Sequence, residues 1–189
     1  MLLLLLGLVI FLGIHSVRII APDWRDQRVA AMGEGTWKGV YSVVSLVGLV
    51  LIIWGFGMAR GEAGVLYEPP VWLRHLAALL MLFSFISLMV FNLPAGRLKP
   101  ALKHPFLVSV KIWAVAHLLA NGETSSVVLF GAILAWAVWD RIAVGRRGET
   151  PPAPGPVKWD IIAVASGVVL YLLFIWKLHE WLIGVQPIG

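Results

Sequence analysis

Five histidines are the side chains of this sequence best suited to chemistry: His15, His75, His104, His117 and His179, each lying in or at the edge of a long apolar run. Imidazole is the commonest metal ligand in proteins, and in an apolar setting it is tolerated only when both ring nitrogens are occupied. Ionisable groups at membrane depth cost a few kcal/mol or more, so each calls for a partner or a purpose. His15 stands three residues before Arg18, which puts an imidazole and a guanidinium about one turn apart on one helix face, where they could take an iron and a carboxylate of its cofactor. A histidine bonded between helices beside a snorkelling arginine reads equally well. His117 lies between Trp113 and Asn121 at four-residue spacing, a polar stripe along one face of an apolar helix. The stripe suits either a bound group or hydrogen bonds between helices.

His75 and His179 fall near the ends of their runs at about the depth of His117, so the three imidazoles together would suit a metal or heme; terminal histidines also serve as plain interfacial residues. His104 precedes Pro105, a proline at a first helical turn, and reads as a helix start as readily as a ligand. Lys111 sits mid-helix on the face of His104, where it pairs with a carboxylate or reaches for the surface; Lys177 and Glu180 are spaced to pair. The sequence has no cysteine, which excludes disulfides, thiolate metal sites and cysteine nucleophiles. It shows no Ser-His-Asp pattern, no HExxH and no glycine-rich nucleotide loop, and its ten carboxylates all fall in loops or at run ends. A proton-coupled transporter, which needs an acid within the membrane, is disfavoured.

The elements that must hold these residues are set by composition. Of 189 residues, 60% are hydrophobic and 13% charged, a balance that belongs in lipid. About 20 apolar residues cross a hydrocarbon core of ~30 Å, and six runs qualify: Leu2 to Ile20, Trp37 to Ala59, Val71 to Leu93, Pro105 to Ala120, Ser125 to Ala143 and Trp159 to Ile183. The expected fold is all-α, a single-domain polytopic bundle over residues 1–189 with about six transmembrane helices. The first run has no basic residue before it and reads as a retained helix rather than a cleaved signal. Asn121-Gly122-Glu123-Thr124 is a tight turn that predicts an antiparallel pairing of the fourth and fifth helices. The proline-rich segment 150–156 is an extended connector.

Basic residues set the orientation. Arg18, Arg25, Arg28, Lys38, Arg97, Lys99, Lys103, Arg141, Arg146, Arg147 and Lys158 gather on one side against Arg60 and Arg74 on the other, which predicts both termini outside and the basic loops inside. The net charge of +5 is thereby a matter of topology and lipid headgroups, not of nucleic acid.

The segment Ile14-His15-Ser16-Val17-Arg18, the loop with Gly33 and Tyr41-Ser42, His104-Pro105 followed by Trp113-Ala114-Val115-Ala116-His117-Leu118-Leu119-Ala120-Asn121-Gly122, and Ser126 to Gly131 resemble the NnrU family. That family is associated with denitrification and nitric oxide metabolism in bacteria and is related to 15-cis-zeta-carotene isomerase, a membrane enzyme that uses heme b. The resemblance implies a bacterial inner-membrane protein that binds heme b, with His15 and His117 as axial ligands, Arg18 at a propionate, and Trp113 and Asn121 beside the cofactor. It implies a nitrogen oxide ligand or, as in the isomerase, a lipophilic polyene. Val17 stands where the isomerase has glycine, and its redox-linked cysteine has no counterpart. By rise per residue, His15 lies nearer the inner face and His117 nearer the outer, so a pair drawn from His75, His117 and His179 matches in depth more simply. A cofactor-free assembly protein, its histidines only joining helices, is the reading from another class.

Overall fold

The computed structural model describes residues 1–62 and 64–188, and among them the regular structure is all helical, with one isolated bridge between Val65 and Glu123 in place of any strand. The helices are α1 (Leu2–Ile20), α2 (Pro22–Met32), α3 (Glu34–Arg60), α4 (Val71–Asn92), α5 (Leu98–Leu102), α6 (Pro105–Ala120), α7 (Thr124–Arg146), α8 (Lys158–Leu173) and α9 (His179–Ile183), the last two joined by a π-helical turn over Phe174–Leu178. Five stretches are long and apolar enough to cross a membrane: Leu2–Ile20, Glu34–Arg60, Val71–Asn92, Thr124–Arg146 and Lys158–Ile183. The sixth expected crossing, Pro105–Ala120, is apolar but has 16 residues, about 24 Å at ~1.5 Å per residue and so shorter than a ~30 Å core. Its ends are set locally, by Pro105 at the first turn and by extended backbone at Asn121.

Two short helices occupy segments that hydropathy reads only as loops. α2 opens on Pro22 with Asp23 in its first turn, both favoured at a helix start. α5 borrows its cap from far along the chain, since Asp160 accepts hydrogen bonds from the backbone N–H groups of Arg97 (2.8 Å) and Leu98 (3.0 Å). A Cβ on Gly96 would collide with that carboxylate, and Gly155 of the proline-rich connector donates its N–H to the Gly96 carbonyl at 3.1 Å. Asp160→Ala leaves these donors without their acceptor and is expected to cost about 0.5–2 kcal/mol. The measurement is trypsin cleavage at Arg97 and Lys103, expected to quicken relative to the unchanged protein.

The chain divides into two compact units, one of Met1–Leu66 with Glu123–Trp136, the other of Tyr67–Gly122 with Ala137–Gly189, and α7 runs from the first into the second. In the first unit α1 and α3 lie antiparallel in close contact. A Cβ on Gly7 would come within 2.6 Å of Ile52 N, and one on Gly48 within 2.7 Å of Phe11 N, while Gly55 meets the backbone of Leu4. Lipid tails are as apolar as leucine, so helices in a bilayer join by such close backbone approach. Gly48→Ala is expected to destabilise by about 1–3 kcal/mol, because the obstruction is backbone that cannot step aside. Gly57, with nothing near its Cβ position, is the control, and thermal denaturation in detergent should separate the two substitutions. In the second unit α4 packs on α6 and on α8. Ser84 donates to the Ser109 carbonyl at 2.9 Å across the first contact, and Gly167 abuts Ile86 across the second.

Candidate functional site

In the second unit His117 and His179 come together. Their ring centroids are 6.4 Å apart with planes inclined by 26°. His117 holds Nδ1 against the carbonyl of Trp113, one turn earlier, at 2.8 Å, and His179 holds Nδ1 against the carbonyl of Val185 at 2.7 Å. In a neutral imidazole whose Nδ1–H donates to a carbonyl, Nε2 carries the lone pair, and this is the tautomer that binds metals. Two imidazoles of this kind are a donor set that could hold an iron.

Each imidazole is positioned by its own helix end. His117 lies in the last turn of α6, and Asn121 donates both its backbone N–H (3.0 Å) and its side-chain Nδ2–H (2.9 Å) to the His117 carbonyl. Tyr67 hydroxyl completes this cap by donating to the carbonyls of Leu118 and Asn121, the latter at 3.0 Å. Burial pushes the Tyr67 phenol up, so it remains a proton donor. Gly122 is required beneath it, because a Cβ there would strike the Tyr67 carbonyl. The Trp113 ring stands 5.0 Å from that of His117, centroid to centroid.

His179 follows directly on the π turn. A π turn winds in an extra residue and shifts everything beyond it around the helix axis, and such turns recur at functional sites. Past α9, Gly184 takes the left-handed conformation (φ 78°, ψ 15°) and donates its N–H to the Glu180 carbonyl at 2.8 Å. That reversal, easy only for glycine, brings the Val185 carbonyl back to His179. Lys177 pairs with Glu180 at 2.8 Å as their spacing predicts.

His15 belongs to the first unit, its Nδ1 against the Phe11 carbonyl at 2.6 Å, inside a ring of Phe11, Tyr41 and Trp136 with centroids 4.2, 5.2 and 5.8 Å away. Trp136 Nε1 is buried there without a hydrogen-bond partner. Arg18 is exposed in the last turn of α1. His75 is exposed in the first turns of α4, and no hydrogen bond or ring contact engages it among the described residues. His104 caps the start of α6, its carbonyl accepting from Val108 N–H at 3.0 Å. Burial first, then the nearby Arg141 guanidinium, holds its imidazole below the usual range, which suits a neutral structural group. No group of three or more His, Cys, Asp or Glu side chains placed to hold a metal ion occurs among the described residues. The π turn, the Val185 carbonyl and the Tyr67 cap had no signature in the sequence; the Glu-Pro-Pro run after Tyr67 marks only a loop.

The match to the NnrU protein family covers residues 3–187, nearly the whole chain. The chain belongs to the NnrU family. No curated protein and no solved structure matches it. This NnrU protein has, among its described residues, five helices long and apolar enough to span a membrane.

Proposed function

We propose that this NnrU protein binds heme b within its membrane helices, with His117 and His179 as the axial ligands, and serves redox or ligand-sensing chemistry linked to nitrogen oxides in the bacterial inner membrane. The observation that carries the reading is the 6.4 Å pairing of two imidazoles whose Nδ1 atoms both face backbone carbonyls. When bound, the heme supplies an iron able to change oxidation state or accept a small ligand. The protein's own part is to orient both imidazoles: the Trp113 and Val185 carbonyls hold their Nδ1 atoms, which leaves Nε2 of each for the iron. Asn121, Tyr67 and Gly184 keep the two helix ends in place.

The family resemblance favours His15 as the second ligand in place of His179, and the orientation of Nδ1 on the Phe11 carbonyl prepares that imidazole in the same way. Absorbance decides between them. Protein purified from heme-replete cells is expected to show a Soret band and a sharp reduced α-band; a colourless preparation would sink the heme reading. If His15→Ala and not His179→Ala disturbs the bands, the pair is His15 with His117.

A second reading, isomerisation of a polyene, is favoured by an apolar groove of about 730 Å³ along the last helix, lined by Val169, Leu172, Leu173, Ile175, Trp176 and Gln186 with Ile188. A long conjugated chain would lie there beside the turn that carries His179. In a strain accumulating a cis-carotene, failure of the heme-loaded protein to convert it would count against this reading.

The charge asymmetry makes an independent prediction. With Pro105–Ala120 as the sixth crossing, reporter fusions at both termini should report the outside, and fusions in the 21–36, 94–104 and 147–157 segments the inside; termini on opposite sides would show that Pro105–Ala120 does not cross, and the reverse pattern would overturn the orientation.

A further inference from the structure

α2 contributes nothing to the packed interior: none of its residues is buried, and it sits where α1 ends and α3 begins. The antiparallel contacts of α1 with α3, Gly7 at Ile52 and Gly48 at Phe11, carry the Ile20 end of one to the Trp37 end of the other. α2 is therefore at the level where two apolar helices leave the bilayer.

At 100° per residue its side chains segregate by kind. Trp24, Arg25, Arg28, Val29 and Met32 share one half of the helix, and Asp23, Asp26, Gln27 and Ala30 the other. Two arginines and two aspartates cancel in net charge, so the asymmetry lies wholly in their placement. On the basic half, the Arg28 guanidinium stands 5.4 Å from the centre of the Trp24 ring, and Trp24 meets Trp37 edge to face at 6.0 Å. Trp24 and Met32 nonetheless stay 46% and 41% exposed. Arg25 also reaches Asp26 at 2.6 Å, and Lys38 pairs with Glu34 at 2.8 Å.

A surface that is aromatic, apolar and cationic at once is poorly matched to water or to a soluble anion. It matches the boundary between headgroups and acyl chains, where indole and thioether lie among the chain tops and guanidinium meets phosphate. The acidic half then faces water. We propose that α2 lies flat on the membrane surface and, through Trp24, Arg25 and Arg28, binds the headgroup phosphate of an anionic phospholipid. The inference stands apart from the heme reading and survives or fails without it.

The test is native mass spectrometry of the full-length protein in detergent with equimolar phosphatidylglycerol and phosphatidylcholine. Phosphatidylglycerol adducts are expected to exceed phosphatidylcholine adducts several-fold, and the paired substitution Arg25→Gln and Arg28→Gln to bring the ratio close to one. Arg146→Gln with Arg147→Gln, at the end of α7, should leave the preference in place. Equal adducts in the unaltered protein, or a preference that outlasts loss of Arg25 and Arg28, would overturn the proposal. A second measurement uses the protein in nanodiscs: brominated phosphatidylglycerol should quench tryptophan fluorescence more than brominated phosphatidylcholine, and Trp24→Phe should shrink that difference. An unchanged difference counts against α2 as the site.

Discussion

His117→Ala should abolish the Soret and reduced α-bands of the purified protein, the largest effect of any single substitution. Both proposed ligand pairs use this residue, whether its partner is His179 or His15. Loss of a hydrogen-bonding partner behind a metal ligand typically costs 10–100-fold in affinity, so loss of the ligand itself should cost more than about 100-fold. Structure at the end of α6 should survive, because Asn121 reaches the carbonyl and not the ring of residue 117, and unchanged helical circular dichroism will separate lost ligation from lost fold. A variant that keeps both bands removes His117 from the site.

His179→Ala should have the next largest effect. The π turn Phe174–Leu178 sets the side of the helix that residue 179 occupies, and the substitution removes the imidazole while leaving that turn in place. The ring that faces His117 is then missing, and the Gly184 reversal that carries the Val185 carbonyl is untouched. The expected spectrum is that of five-coordinate iron held by His117 alone, with a broadened α-band and a new capacity to take up carbon monoxide or nitric oxide. A six-coordinate spectrum indistinguishable from that of the unaltered protein would assign the second ligand away from His179 and toward His15.

Much of the fold was legible because a bilayer simplifies the problem. Each helix satisfies its backbone internally, so length and apolarity alone mark it, and the five long helices fall where the apolar runs predict. Expectation and structure diverge at polar or irregular segments. α2 carries too few apolar residues for a hydropathy pattern and is recognised only by Pro22 and Asp23 at its start. α5 depends on a carboxylate more than sixty residues away, which no local rule connects to Arg97. Of the stripe of Trp113, His117 and Asn121, the first two lie on α6 while Asn121 stands just past its end in extended backbone, and its inner logic differs from a row of groups aimed at a ligand. Trp113 contributes its carbonyl to His117, and Asn121 spends its amide on capping α6.

What the sequence determined by itself is the medium, the helices and the stock of ligands: apolar runs dictate burial in lipid, and the absence of cysteine leaves histidine, methionine or carboxylate to bind any metal. What only the tertiary structure decided is which histidines meet. His75, His117 and His179 share a depth by simple counting, but the structure leaves His75 exposed and joins the other two. Counting along a chain yields height and helical face under regular geometry; a π turn breaks that regularity, and the packing of α4 against α6 and α8 then selects the partner.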